Sequence, residues 1–211
     1  FHPLPSFSST TSPQSPPLPM APSTSSNSTS PSFLQQKRIH FFRHFLDTNG
    51  DGLVGKSDLD LLISRVEKLA RKSEFIRIKL SLVGLWHDVD DLNCEDEFIS
   101  ESDWLSFWEK KKASRTESSM MAHVFQLLDA SADQLIDESE FIHVFTFFGR
   151  SREEAMRCFD YVGRTDTGDP VFAIDAKRFG CLWKEFFYSD DPSSYGNFLF
   201  GLIPSLQPSS P

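Results

Sequence analysis

DTNGDGLVGKSD, residues 47–58, places Asp47, Asn49 and Asp51 at alternate positions, follows them with Gly52, and closes with Asp58. Oxygen-bearing side chains at every second residue, folded inward by a tight bend, make a cage for a hard cation. Ca²⁺ takes roughly 6–8 oxygens at about 2.3–2.6 Å, from carboxylates, amides, backbone carbonyls and water. Numbered as a 12-residue loop, the stretch offers Asp47, Asn49 and Asp51 at positions 1, 3 and 5, and the Leu53 carbonyl at position 7. Gly52 allows the positive φ of the turn. Val54 at position 8 points away from the cage, toward a partner loop. Gly55 at position 9 leaves room for water, and Asp58 at position 12 stands one methylene short of the usual Glu. That shortening predicts weaker Ca²⁺ binding, or better tolerance of six-coordinate Mg²⁺.

The residues on either side have helical apolar spacing. Ile39, Phe42, Phe45 and Leu46 precede the loop, with Lys37, Arg38 and Arg43 outside their stripe; Leu59, Leu62, Ile63, Val66 and Leu69 follow it. The texture recurs at DASADQLIDESE, residues 129–140, between MAHVFQLL and FIHVFTFFG. Here Asp129, Ser131, Asp133, the Leu135 carbonyl, Asp137 and Glu140 fill positions 1, 3, 5, 7, 9 and 12. This is the better ligand set on a worse turn. Gln134 replaces the glycine, and a non-glycine residue at positive φ costs about 1–2 kcal/mol. Asp137 and Glu140 also make a capping-box start for the next helix.

Two further polar turns are damaged versions of the same unit. With Ile99 at position 8, the second has Leu92, Cys94 and Asp96 at positions 1, 3 and 5, then Glu97 and Asp103 at 6 and 12; a register from Asp91, Asn93 and Glu95 needs an extra residue. Ser100 and Asp103 read more simply as a helix cap. With Ile174 at position 8, the fourth has Thr167, Asp169, Val171 and Arg178 at positions 1, 3, 5 and 12, and a cation at 12 repels Ca²⁺. Ile174 is expected to complete a pair against Ile136. The fold class is therefore all-α: four helix–loop–helix units, paired into two lobes of one compact globule, with one working site per lobe.

Around these units, residues 1–31 contain no Asp, Glu, Lys or Arg and hold eight of the 13 prolines. That composition predicts a disordered Pro/Ser-rich tail. Met20 lies inside it, so residues 1–19 are expected to be translated leader or vector sequence. The pairs are assigned to 32–112 and 113–203, with Lys110–Lys112 as the linker, and 204–211 as a second disordered tail. The chain of 211 residues carries 30 Asp+Glu against 21 Lys+Arg, a charge of -9, which opposes nucleic-acid binding. No stretch approaches the roughly 18–20 apolar residues of a membrane span. Cys94, Cys158 and Cys181 have no paired spacing and read as reduced, buried thiols, so an intracellular, cytoplasmic monomer is expected.

DTNGDGLVGKSD and DASADQLIDESE resemble the EF-hand superfamily, over about residues 33–203. Within it, Asp58, the long aromatic spacer around Leu85–Trp86, the defunct fourth loop and the ending FFYSDDPSSYGNFLFG look like the invertebrate sarcoplasmic calcium-binding proteins, including calexcitin-like members. The resemblance implies a non-enzymatic cytosolic Ca²⁺ buffer in which Mg²⁺ competes, with two or three active loops. Gln134 and the second loop depart from that family. Two other readings are a sensor that docks a protein target and a luciferin holder lined by Phe with His40, His44, His123 and His143. Scarce Met (4) against 21 Phe and four Trp favours a packed core over an adaptable groove.

Overall fold

A computed structural model of the chain describes residues 30–92, 97–110 and 115–206. Residues 31–206 belong to one compact unit. Its helices are α1 (Phe33–Phe41), continued by a π-helical turn over Phe42–Leu46, then α2 (Lys56–Leu69), α3 (Lys72–Asp90), α4 (Glu101–Glu109), α5 (Arg115–Leu128), α6 (Glu138–Phe147), α7 (Arg152–Val162) and α8 (Ala176–Tyr188). Short 3₁₀ turns follow at Tyr195–Phe198 and Pro204–Leu206. Both assigned tails fall largely outside the described residues, as do Cys94 and the Lys111–Lys112 part of the linker.

The four polar turns carry four short strands, β1 (Leu53–Val54), β2 (Ile99–Ser100), β3 (Leu135–Asp137) and β4 (Ala173–Asp175). β1 pairs antiparallel with β2, setting Val54 opposite Ile99; β3 pairs with β4, setting Ile136 opposite Ile174. All four of these side chains are buried. Each ladder joins two loops that neither could hold straight alone, and the position-8 apolar residue anchors it in the core.

The core is aromatic and continuous. Trp108 stacks on Phe187 with ring centroids 4.1 Å apart, and Trp183 lies 4.5 Å from the same ring. Phe200, from the segment after α8, enters edge-on against Phe41 and Phe186 at 4.6 and 4.9 Å. Such edge-to-face pairs add about 0.5–1.5 kcal/mol each beyond area burial. Leu85 and Trp86, expected in a spacer, belong to α3 and are buried.

Several expectations need correction. Lys37 and Arg38 are not on a solvated face; both are buried. The Lys37 ammonium donates to the carbonyls of Glu185 (2.7 Å) and Ser189 (2.6 Å) and to Asn197 Oδ1 (2.9 Å). Arg38 donates to the Phe187 carbonyl. These carbonyls lie at the C-terminal end of α8 and its cap residue, where positive charge is favoured. Burial lowers the Lys37 pKa to about 8. Leu69 is exposed, because α2 stops there and α3 leaves in a new direction. Cys158 is buried as expected, but Cys181 is exposed on α8.

Lys37→Met would take the ammonium donor from all three acceptors, leaving the Ser189 carbonyl and Asn197 Oδ1 without it and the Glu185 carbonyl with only the Ser189 amide. A loss of about 3 kcal/mol is expected, measured by urea unfolding of the calcium-loaded protein. His40 is buried, its Nε2 2.9 Å from the Phe200 carbonyl, and burial lowers its pKa to about 4. Below its ordinary value near 6.5 the unfolded chain binds a proton that the folded chain refuses. Stability contributed by neutral His40 is therefore complete above pH 6.5 and is lost as pH falls toward 4, by up to about 3 kcal/mol. His40→Gln should flatten that part of the stability–pH curve.

Candidate metal centre

The first loop opens on the π-helical turn. The Asp47 N–H donates to the Phe42 carbonyl, five residues back, at 2.8 Å, a wide turn of the kind often found at functional sites. The Asp47 carboxylate, nearly buried, then accepts three backbone amides of its own loop: Gly50 (2.8 Å) and Asp51 (3.1 Å) at Oδ1, and Gly52 (3.0 Å) at Oδ2. Gly50 and Gly52 both have positive φ, 78° and 86°. Asn49 Oδ1 accepts the Asp51 amide, and Asp51 Oδ1 accepts the Leu53 amide.

The third loop repeats this scheme with different residues. Asp129 accepts the amides of Asp133 (3.2 Å) and Gln134 (3.1 Å), and Asp133 accepts that of Leu135 (2.9 Å). Gln134 has φ 71°, as its place in the loop predicts, and Ala132 has φ 64°. Ala132 matches Gly50, so this loop holds two non-glycine residues in the left-handed region where the first uses glycine twice.

At position 12 the two loops share one geometry. Glu140 Oε1 accepts the Ser131 amide (2.6 Å) and Oε2 the Asp137 amide (3.1 Å). Asp58 Oδ1 accepts the Asn49 amide (3.1 Å) and Oδ2 the Gly55 amide (3.0 Å). In both, the last acid bridges positions 3 and 9. Asp137 caps α6 by accepting the Glu140 amide at 2.8 Å, and its carboxylate also accepts the Ser139 hydroxyl.

The two loops differ in how closely their acids approach. Carboxylate oxygens of Asp129, Asp133 and Glu140 lie within 4.8 Å of one another, close enough to hold one ion. Among the described residues Asp47, Asp51 and Asp58 form no comparable cluster. Asp58 has spanned the same two amides with a shorter side chain, which keeps its oxygens back. Leu53 and Leu135, whose carbonyls occupy position 7, begin β1 and β3 with exposed side chains. Sequence reading overlooked the braces around Asp58: Thr48 donates to its carbonyl (2.8 Å), Arg65 to the Thr48 carbonyl (3.1 Å), and Trp86 Nε1 to the Gly55 carbonyl (3.2 Å).

The other two loops are occupied by their own side chains. In the second, Leu92 ends its described first part and residues 93–96, with Asn93, Cys94, Glu95 and Asp96, lie outside the described residues. Asp103 accepts the Ser100 hydroxyl and amide, which hold its carboxyl below the usual range and cap α4. In the fourth, the Arg178 guanidinium pairs with Asp166, and Thr167 donates to Asp169. A tethered cation stands where a metal loop has its last acid.

A curated relative, calexcitin-1 of Caenorhabditis elegans, is 27% identical over 180 residues, covering 81% of this chain and 87% of that protein. The fold matches that of a sarcoplasmic calcium-binding protein from amphioxus, with TM-score 0.60 at 21% identity, over 82% of this chain and 99% of the other. It also matches the calcium-loaded apo form of coelenterazine-binding protein from Renilla muelleri, with TM-score 0.61 at 16% identity, over 80% and 94%. The sequence is similar to calexcitin-1, and the fold is that of these calcium-binding proteins. No family model matches the chain.

The loop position most open to improvement is Gln134. Gln134→Gly removes strain of about 1 kcal/mol that the loop already carries without an ion. It should raise the stability of the metal-free protein by about that much in urea unfolding and leave Ca²⁺ affinity at the third loop nearly unchanged.

Proposed function

We propose that this EF-hand protein is a cytoplasmic Ca²⁺/Mg²⁺ buffer that binds through its first and third loops. The ligands are Asp47, Asn49, Asp51, the Leu53 carbonyl and Asp58 in one, and Asp129, Ser131, Asp133, the Leu135 carbonyl, Asp137 and Glu140 in the other. The convergence of Asp129, Asp133 and Glu140 carries this reading. Three carboxylates held within one ion's reach repel each other, and a divalent cation relieves that repulsion at once. Amides already fix the carboxylates' directions, so little ordering remains on binding.

Buffering is supported over ligand carriage by the interior. The space among Phe41, Phe45, Leu85, Phe145 and Phe200 has a volume of about 10 Å³, against roughly 300–1,000 Å³ for a small-molecule pocket. Met120 is fully buried in the core, which favours a fixed core over an adaptable Met-lined groove. No described helix is long and apolar enough to cross a membrane.

Calorimetric titration of Ca²⁺ into metal-free protein, with and without millimolar Mg²⁺, tests the reading. About two sites are expected, both weakened by Mg²⁺, with little apolar surface newly exposed to a reporter dye when Ca²⁺ binds. Asp58→Glu should make the first site indifferent to Mg²⁺. Absence of binding would refute the proposal, and Mg²⁺-insensitive sites with strong dye binding would replace the buffer with a sensor.

A further inference from the structure

Helix α3 buries Ile78, Ser81, Leu82, Leu85, Trp86 and Val89 on its inner side, as a core helix should. Its outer side is also apolar. Ile76 is 68% exposed, Leu80 66% and Val83 42%, and His87 continues the line. Their spacing is four, three and four residues. A stripe of two residues per heptad is the seam of a two-stranded coiled coil, narrower than the face a globular core uses. Lys72 and Lys79 are exposed beside the seam, and Arg77 lies on its other side. Arg77 Nε is buried without a hydrogen-bond partner among the described residues. This basic border belongs to a chain of net charge -9.

We propose that the outer face of α3, the Ile76–Leu80–Val83 stripe with Lys72, Lys79 and Arg77 beside it, docks an amphipathic helix of a partner protein whose own stripe is flanked by acids. Charge decides the occupant. A second copy of this chain would set basic flank against basic flank. A broad anionic membrane would meet the repulsion of the whole acidic surface, whereas a single helix covers only the seam and its border. The face is a ridge of protruding side chains, which fits the knobs-into-holes contact of two helices. The proposal rests on α3 and not on the metal loops, so its failure leaves the buffer reading standing.

The test uses the full chain in Ca²⁺ and a fluorescein-labelled synthetic helix of about three heptads, with Leu along its stripe and Glu beside it. Anisotropy should show saturable one-to-one binding that weakens as salt rises. Leu80→Gln and the pair Lys72→Glu with Lys79→Glu should each weaken it by about tenfold or more. These positions are exposed, and unchanged Ca²⁺ titration of each variant verifies its fold. Absence of binding overturns the proposal, as does binding unaffected by Leu80→Gln or equal binding of the same peptide with Lys in place of Glu. Two other results overturn it too: binding of phosphatidylserine vesicles but not of the peptide, and self-association that Leu80→Gln abolishes.

Discussion

The carboxylates of Asp58 and Glu140 each accept two backbone amides, one from position 3 of the loop and one from position 9. Most of the architecture around the loops follows from this bridge. Position 12 is also the third residue of the exiting helix, so the same carboxylate closes the loop and satisfies an amide at the helix entry. The acid that a cation would need is placed by the helix it starts, and the helix is started by that acid. Asp58 shows how much the bridge matters, because the shorter side chain keeps both hydrogen bonds at the expense of convergence with Asp47 and Asp51.

The damaged loops keep the part of the design that does not need an ion. Asp103 holds Ser100 as Asp58 holds Gly55, and Ile99 still meets Val54 across the ladder. In the fourth loop the Arg178–Asp166 pair supplies internally the positive charge that an ion would bring. Ile174 is thereby held against Ile136 whatever the metal concentration. In the second pair, a loop that gathers acids is thus joined to one that supplies its own counter-charge.

The parts legible in sequence were the local ones. The turns of the loops, the position-8 pairing of Val54 with Ile99 and Ile136 with Ile174, and the positive φ of Gln134 depend on residues within twelve of each other or on one repeated register. Lys37 and Arg38 were illegible for the opposite reason. Their partners are backbone carbonyls 148 and 149 residues away, and a carbonyl leaves no mark in a sequence. The close approach of Asp129, Asp133 and Glu140, against the looser first loop, depends on one methylene multiplied through two hydrogen bonds. Spacing alone suggests the difference but not its geometry. The outer stripe of α3 was hidden because the segment around Leu85–Trp86 read as a spacer, and a spacer has no faces to compare.

The clamp formed by Lys37 and Arg38 has a topological consequence. Asn197 accepts from Lys37 and donates to the Asp191 carbonyl, while Phe200 fills the space between Phe41 and Phe186. The first helix and the Tyr195–Phe198 turn are thereby fastened to the same end of α8, and neither can fray alone. Such a clasp makes the fold a closed ring in mechanical terms, although the backbone is open. Pulling on either end would load the same three hydrogen bonds of Lys37 first, and the two halves could not hinge apart until they gave way.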